Sequence, residues 1–341
     1  MDPNLNLGFS GAKTDQSELC SDLNLEKAKS LSRYSLFPLR YPTLYEFYKK
    51  QRDSYWVPNE IDLESDINDW KNKLTDNDKH FLTHTLAFFS QADAIVLQNL
   101  DLNFSMDIDI PEACIFYGIQ GGIESIHWEM YAILIDTLIQ DIALRTKAFY
   151  AIENYPCIKR KAEWILKWMN PKNSYLQRLV AFACTEGIFF SSAFASIFYY
   201  KKRGLLPGLT LSNKFIARDE GLHRDFGCEL FNILRKEGNK ISDEQVYDIV
   251  MDAVEIECNF VEESLNVELI GINKESMKNY VKFVANHLLV TLNLSKKYNV
   301  TNPFEWMDMI NLTNKQNFFE GKVSEYKKVQ HQPVFSVNED F

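Results

Sequence analysis

The chain has 341 residues, 46% of them hydrophobic and 25% charged, the composition of an ordinary folded soluble protein. Its formal charge of −10, without any long Lys/Arg run, argues against a nucleic-acid or anionic-membrane surface as the main partner. Six cysteines with no Cys-x-x-Cys pair argue against a disulfide framework or a zinc–thiolate site and point to a reducing intracellular compartment.

Residues 1–25 are polar, poorly patterned and free of a basic-plus-apolar signal, so a flexible tail and a cytoplasmic location are expected. With 13 Gly and 10 Pro the chain favours long helices over a turn-rich β fold, and no Gly/Pro/Ser-rich linker divides its middle. The expected organisation is all-α: one helical domain over residues 26–320 between flexible tails at 1–25 and 321–341. Helical text begins at Tyr41 and leads to a connector, Tyr55-Trp56-Val57-Pro58. Asn77 or Asp78 is the expected cap of a long helix reaching about Leu100, and Pro111 opens another reaching about Leu144. Two further helices fill about 163–202 and end at Gly204-Leu-Leu-Pro-Gly208. Another follows over about 211–236, then two or three amphipathic helices up to about Phe319. The stretch 179–200 is apolar enough to raise the question of a membrane span, but it carries Glu186 at an inward position and reads as a core helix.

Two copies of Glu-x-x-His stand out: Glu124-Ser-Ile-His127 and Glu220-Gly-Leu-His223. At spacing i, i+3 the carboxylate and the imidazole share one helix face. Asp93 falls in phase with Leu82, Leu86, Phe89 and Leu97, and Glu186 with Leu179, Phe182, Phe190, Phe194 and Ile197. A lone Glu-x-x-His is commonplace on a solvated helix. Two of them with two further acids on apolar stripes make a ligand inventory of four carboxylates and two imidazoles. Each unpaired buried ion would cost several kcal/mol, roughly, and no matching set of core Lys or Arg is evident. Two divalent cations would balance four carboxylates, and oxygen donors with one imidazole per metal suit iron or manganese.

These residues and their surroundings closely resemble the small, radical-bearing subunit of class I ribonucleotide reductase in its eukaryotic and viral form. The matching text is Ser90-Gln-Ala-Asp93-Ala-Ile-Val, Phe116-Tyr-Gly-Ile-Gln120, Glu124-Ser-Ile-His127-Trp-Glu-Met-Tyr131 and Glu186-Gly-Ile-Phe-Phe190-Ser-Ser-Ala-Phe194. Lys201-Lys-Arg-Gly-Leu-Leu-Pro-Gly-Leu-Thr210 and Ala217-Arg-Asp-Glu-Gly-Leu-His223 complete it, and the similarity runs from about residue 35 to the end. The resemblance implies a ferritin-like bundle holding two iron ions, oxo-bridged when oxidised, with manganese left open.

By the same resemblance Asp93, Glu124 and His127 would hold one iron and Glu186, Glu220 and His223 the other, with Glu124 and Glu220 bridging. Tyr131 matches the radical tyrosine, and its place four residues after His127 independently puts it on the same face. Phe190, Phe194 and Ile216 match the apolar pocket around that radical. Trp56 and Asp219 match the electron and proton path to the surface, and Asp219 could also accept a hydrogen bond from the distal nitrogen of His127. Tyr326 matches the tail tyrosine that relays the radical onward. The ending Phe335-Ser-Val-Asn-Glu-Asp-Phe341 resembles the peptide that docks to the large subunit, two aromatic anchors and two acids suited to a partner's groove. The implied assembly is a homodimer, or a heterodimer with a paralogue, working with a large subunit that reduces ribonucleoside diphosphates. The chain itself has no Gly-rich phosphate loop. Two departures from the family pattern are Trp128 after His127, expected to face away from the site, and a short linker between Tyr326 and the docking peptide.

Overall fold

The structure is a computed structural model that describes residues 35–265, 272–304 and 306–307. The N-terminal tail, Tyr326 and the peptide 335–341 lie outside the described residues.

Among the described residues the chain is all-α, with no extended strand. Helix α1 covers Pro42–Asp53 and α2 covers Glu64–Asn72, with Trp56 in the connector between them. Helix α3 is Asp76–Asn99 and α4 is Pro111–Leu138, packed along one another. Shorter α5 (Ile142–Phe149) leads to α6 (Pro156–Met169). Helix α7 (Tyr175–Cys184) passes through a wide π turn, Thr185–Phe189, into α8 (Ser191–Lys202). Helix α9 (Pro207–Lys236) is followed by α10 (Asp243–Ser264) and α11 (Lys274–Thr291).

Several boundaries differ from expectation, among them α6, which begins at Pro156 rather than near residue 163, and three of them have a clear local reason. Helix α3 is capped by Thr75, not by Asn77 or Asp78: its hydroxyl accepts from the Asp78 amide, and the Asp78 carboxylate takes the Thr75 amide in return. Helix α4 stops at Leu138 rather than near Leu144, because Asp141 accepts from the Leu144 amide at 2.7 Å and starts a new helix. Helix α9 begins four residues earlier than its apolar period suggests, at Pro207, whose fixed φ suits a first helical position.

That early start is built by α2. Asp66 accepts from the amides of Gly208 and Leu209, and Asp69 accepts from the amide of Leu206, so two carboxylates meet the positive end of α9. The stretch Tyr175–Lys202 holds an 18-residue window apolar enough to cross a bilayer, yet that window is wholly buried inside the helical assembly. Its faces meet α9, α10 and α11, so its hydrophobicity serves core packing.

Candidate metal centre

Four elements bring the sequence-selected acids together: α3 supplies Asp93, α4 supplies Glu124 and His127, the wide turn supplies Glu186, and α9 supplies Glu220 and His223. All six are buried, none more than 3% exposed. One ligand atom each from Glu124, Glu186, Glu220 and His223 lies within 4.8 Å of the others. His223 Nδ1 lies 2.9 Å from Glu124 Oε1 and 3.0 Å from Glu220 Oε2. His127 Nδ1 lies 2.9 Å from Glu220 Oε1 and 3.5 Å from Glu124 Oε2. Glu124 and Glu220 therefore stand between the two imidazoles, each facing both.

The donor set fits cations. Both oxygens of Asp93 and both of Glu186 are sealed from water with no hydrogen-bond partner, a costly state for a carboxylate unless a positive charge is met there. Burial pushes the Asp93 and Glu186 carboxyls well above the usual range, and the charges of Glu220 and Glu124 add to it. Burial also works to raise Glu220, but His127 beside it holds that carboxyl low. The imidazoles go the other way: burial disfavours their charge, yet Glu220 lifts His127 well above its ordinary value, and Glu124 lifts His223 to about 9. The cluster thus crowds buried negative charge that protonated imidazoles only partly offset, a charge that divalent cations on the same donors would neutralise.

A chain of hydrogen bonds leads outward. His127 Nε2 meets Asp219 Oδ2 at 3.3 Å, and Trp56 Nε1 donates to the same oxygen at 2.9 Å. Gln51 Nε2 and Arg218 donate to Asp219 Oδ1 at 3.1 and 2.8 Å. Burial alone would raise the Asp219 carboxyl; the guanidinium of Arg218 and the imidazole of His127 hold it below its ordinary value. Trp56 is 1% exposed, but its neighbours Tyr55 and Val57 reach solvent.

Tyr131 is fully buried on α4. Its ring stacks on Phe89, centroids 4.6 Å apart at an interplanar angle of 2°, and Phe89 in turn packs on Phe190 and Phe194 at 5.2 and 5.0 Å. Its hydroxyl donates to Asn213 Oδ1 at 3.0 Å. Burial, then the charge of Asp93, pushes the phenol well above its ordinary value, so it stays protonated. Ile216 is wholly buried on α9, one turn beyond Asn213, and Trp128 is 45% exposed on the far face of α4. Phe89, Asn213, Gln51 and Arg218 are not among the site residues expected from sequence. Asn213 had a usable signal: it precedes Glu220 by two helical turns on one stripe.

The sequence profile of the family described as "Ribonucleotide reductase, small chain" matches residues 33–303. The chain belongs to that family. A ribonucleoside-diphosphate reductase small chain of Arabidopsis thaliana is 49% identical over 321 residues, covering 91% of this chain and 96% of its own length. The Dictyostelium discoideum small subunit is 53% identical over 296 residues, 87% of each chain. The Variola virus small chain is 50% identical over 318 residues, 92% of this chain and 98% of its own. Among solved structures, the Rnr4 homodimer of Saccharomyces cerevisiae superposes with a TM-score of 0.74 at 35% identity, covering 89% of this chain and 95% of that one. This small chain is accordingly a ferritin-like helical protein and part of an oxidoreductase, a ribonucleoside-diphosphate reductase that works with a large subunit. Its buried Glu/His cluster is where such a small chain has donors for a pair of metal ions.

Proposed function

We propose that this small chain generates and stores a radical on Tyr131 and passes it to the large subunit for ribonucleotide reduction. The single observation that carries the reading is that ligand atoms of Glu124, Glu186, Glu220 and His223 lie buried within 4.8 Å of one another, with His127 against Glu220 and both Asp93 oxygens buried without a hydrogen-bond partner, while Tyr131 stands on the same helix as Glu124 and His127. Asp93, Glu124 and His127 would hold one metal ion and Glu186, Glu220 and His223 the other, with Glu124 and Glu220 shared. Bound there, a pair of iron ions, or manganese on the same donors, supplies the oxidising power that dioxygen chemistry makes available at a redox-active centre.

The chain's own residues do the rest. Phe89, Phe190, Phe194 and Ile216 exclude water and reductants from Tyr131. Asn213 takes the phenolic hydrogen bond and fixes the hydroxyl, but a neutral amide cannot keep a proton. The phenol keeps its proton in the resting state because burial, and after it the charge of Asp93, disfavours the phenolate. Asp219 locks the His127 ring through Nε2 and joins it to Trp56, giving a continuous hydrogen-bonded route from the cluster to the connector near the surface. Tyr326 would continue that route, and the peptide 335–341 would dock to the large subunit. We further propose a homodimer, or a pairing with a paralogue, in the cytoplasm.

The test compares the wild type with Tyr131→Phe after supplying Fe(II) and dioxygen. The wild type should bind two metal ions per chain and show a tyrosyl paramagnetic signal. The variant should keep the metals but lose both the signal and reductase activity with the large subunit. A variant that retains signal and activity would remove Tyr131 from the mechanism.

A further inference from the structure

Behind the wide turn that carries Glu186 lies an ion pair with no part in the chemistry above. Lys161 on α6 and Glu257 on α10 are both wholly buried, with Nζ 2.6 Å from Oε2. The same ammonium donates at 2.8 Å to the carbonyl of Phe189, the last residue of the turn. It also sits 3.4 Å from the ring centroid of Phe88 and 3.9 Å from that of Phe260. Glu257 Oε1 accepts from the Ser192 hydroxyl, in the first turn of α8. The pair therefore grips both ends of the junction, one carbonyl where the turn finishes and one hydroxyl where the next helix begins.

A π turn removes backbone carbonyls from the regular helical ladder and supports itself poorly. A buried ion pair is also a poor source of stability, because well-packed apolar residues commonly do as well or better. Burial pushes the Lys161 ammonium down to about 8 and raises the Glu257 carboxyl, so desolvation opposes both charges. The turn is also closely approached by α9: a Cβ on Gly187 would meet Cδ of Arg224 at 2.9 Å. The arrangement makes sense as a device for position.

We propose that Lys161 and Glu257, with Ser192, are positioning residues that hold the turn Thr185–Phe189 so that the Glu186 carboxylate meets its metal ion; this rests on the metal-site reading above. The ion served by Glu186, Glu220 and His223 then depends on the pair, and the ion served by Asp93, Glu124 and His127 does not.

The test is an anaerobic titration of the full chain with Mn(II) alone, following free and bound ions by paramagnetic resonance. The double variant Lys161→Met/Glu257→Leu removes both charges together and leaves neither orphaned. It should keep the wild-type helix content and melting temperature yet bind one of the two ions about tenfold more weakly. That ion should be the one weakened by Glu186→Gln. Ser192→Ala should move the same ion in the same direction by roughly two- to threefold, and it decides the matter alone if the double variant does not fold. Unchanged affinities overturn the proposal, as does an equal loss at both sites, which would mean general loosening. A wild type that binds no Mn(II) overturns the metal-site reading itself, and this inference with it.

Discussion

Asp219 receives hydrogen bonds from Gln51, Trp56, His127 and Arg218 at once, two donors to each of its oxygens. No neutral side chain can accept on both sides. Asp219→Asn would turn an amide N–H₂ toward either the Trp56/His127 pair or the Gln51/Arg218 pair, setting donor against donor. The expected cost is about 2–4 kcal/mol of stability. Reductase activity should fall about 100-fold, while metal content and the Tyr131 signal survive. Loss of the radical together with activity would instead place Asp219 in radical formation. The partners of Asp219 show what sequence can and cannot disclose. The six donors were legible because each puts a charge at an apolar phase. Gln51 and Arg218 were not, because nothing in α1 or on the flank of α9 marks a polar residue that reaches another helix. Lys161 was hidden in a different way: between Arg160 and Ala162, after Lys159, it reads as one more solvated lysine of an amphipathic helix.

At the scale of elements, the placing of Glu220 and His223 depends on where α9 starts, and α2 sets that start. Leu206 adopts a left-handed conformation at φ 53, and its amide reaches Asp69 at 2.9 Å. Gly208 then passes so close to the connector entering α2 that a Cβ there would lie 2.3 Å from the backbone oxygen of Asp62. Backbone cannot yield as a flexible side chain does, so Gly208→Ala should push α9 off its two carboxylate anchors. The expected loss is about 2 kcal/mol or more, seen as a lower melting temperature and weaker metal binding. Gly204→Ala is the control for backbone strain without a clash: Gly204 has φ 67, but a Cβ there meets nothing within 4 Å. Equal stability of Gly208→Ala and wild type would mean that the close approach is not needed. The order of the helices and their inward faces follows from apolar periodicity. The wide turn at Thr185–Phe189 does not, because a 3.6-residue template has no place for one extra residue in a turn.

For the molecule as a whole, acid stability and assembly give separable expectations. Burial holds the imidazole of His84, which gives Nδ1 to the His80 carbonyl at 2.8 Å, down to about 4. In the unfolded chain it would titrate near 6.5, about the ordinary value. Between these values the folded state binds fewer protons than the unfolded one. The stability from keeping His84 neutral is complete above pH 6.5 and is lost as pH falls toward 4, on the order of 3 kcal/mol in all. His84→Gln should flatten the melting temperature between pH 7 and 4.5; an unchanged slope would assign the acid loss to other groups. Assembly is tested at the other end of the chain. Residues 335–341 combine two phenylalanines with two acids, a pattern that can anchor in a partner's groove while contributing nothing to a metal site buried among α3, α4 and α9. Deleting them should therefore abolish reductase activity and co-sedimentation with the large subunit, yet leave two metal ions and the Tyr131 signal intact. A synthetic peptide of the same seven residues should inhibit the full-length pair competitively. If the truncated chain loses its radical, the tail acts on the bundle itself and docking is not its only role.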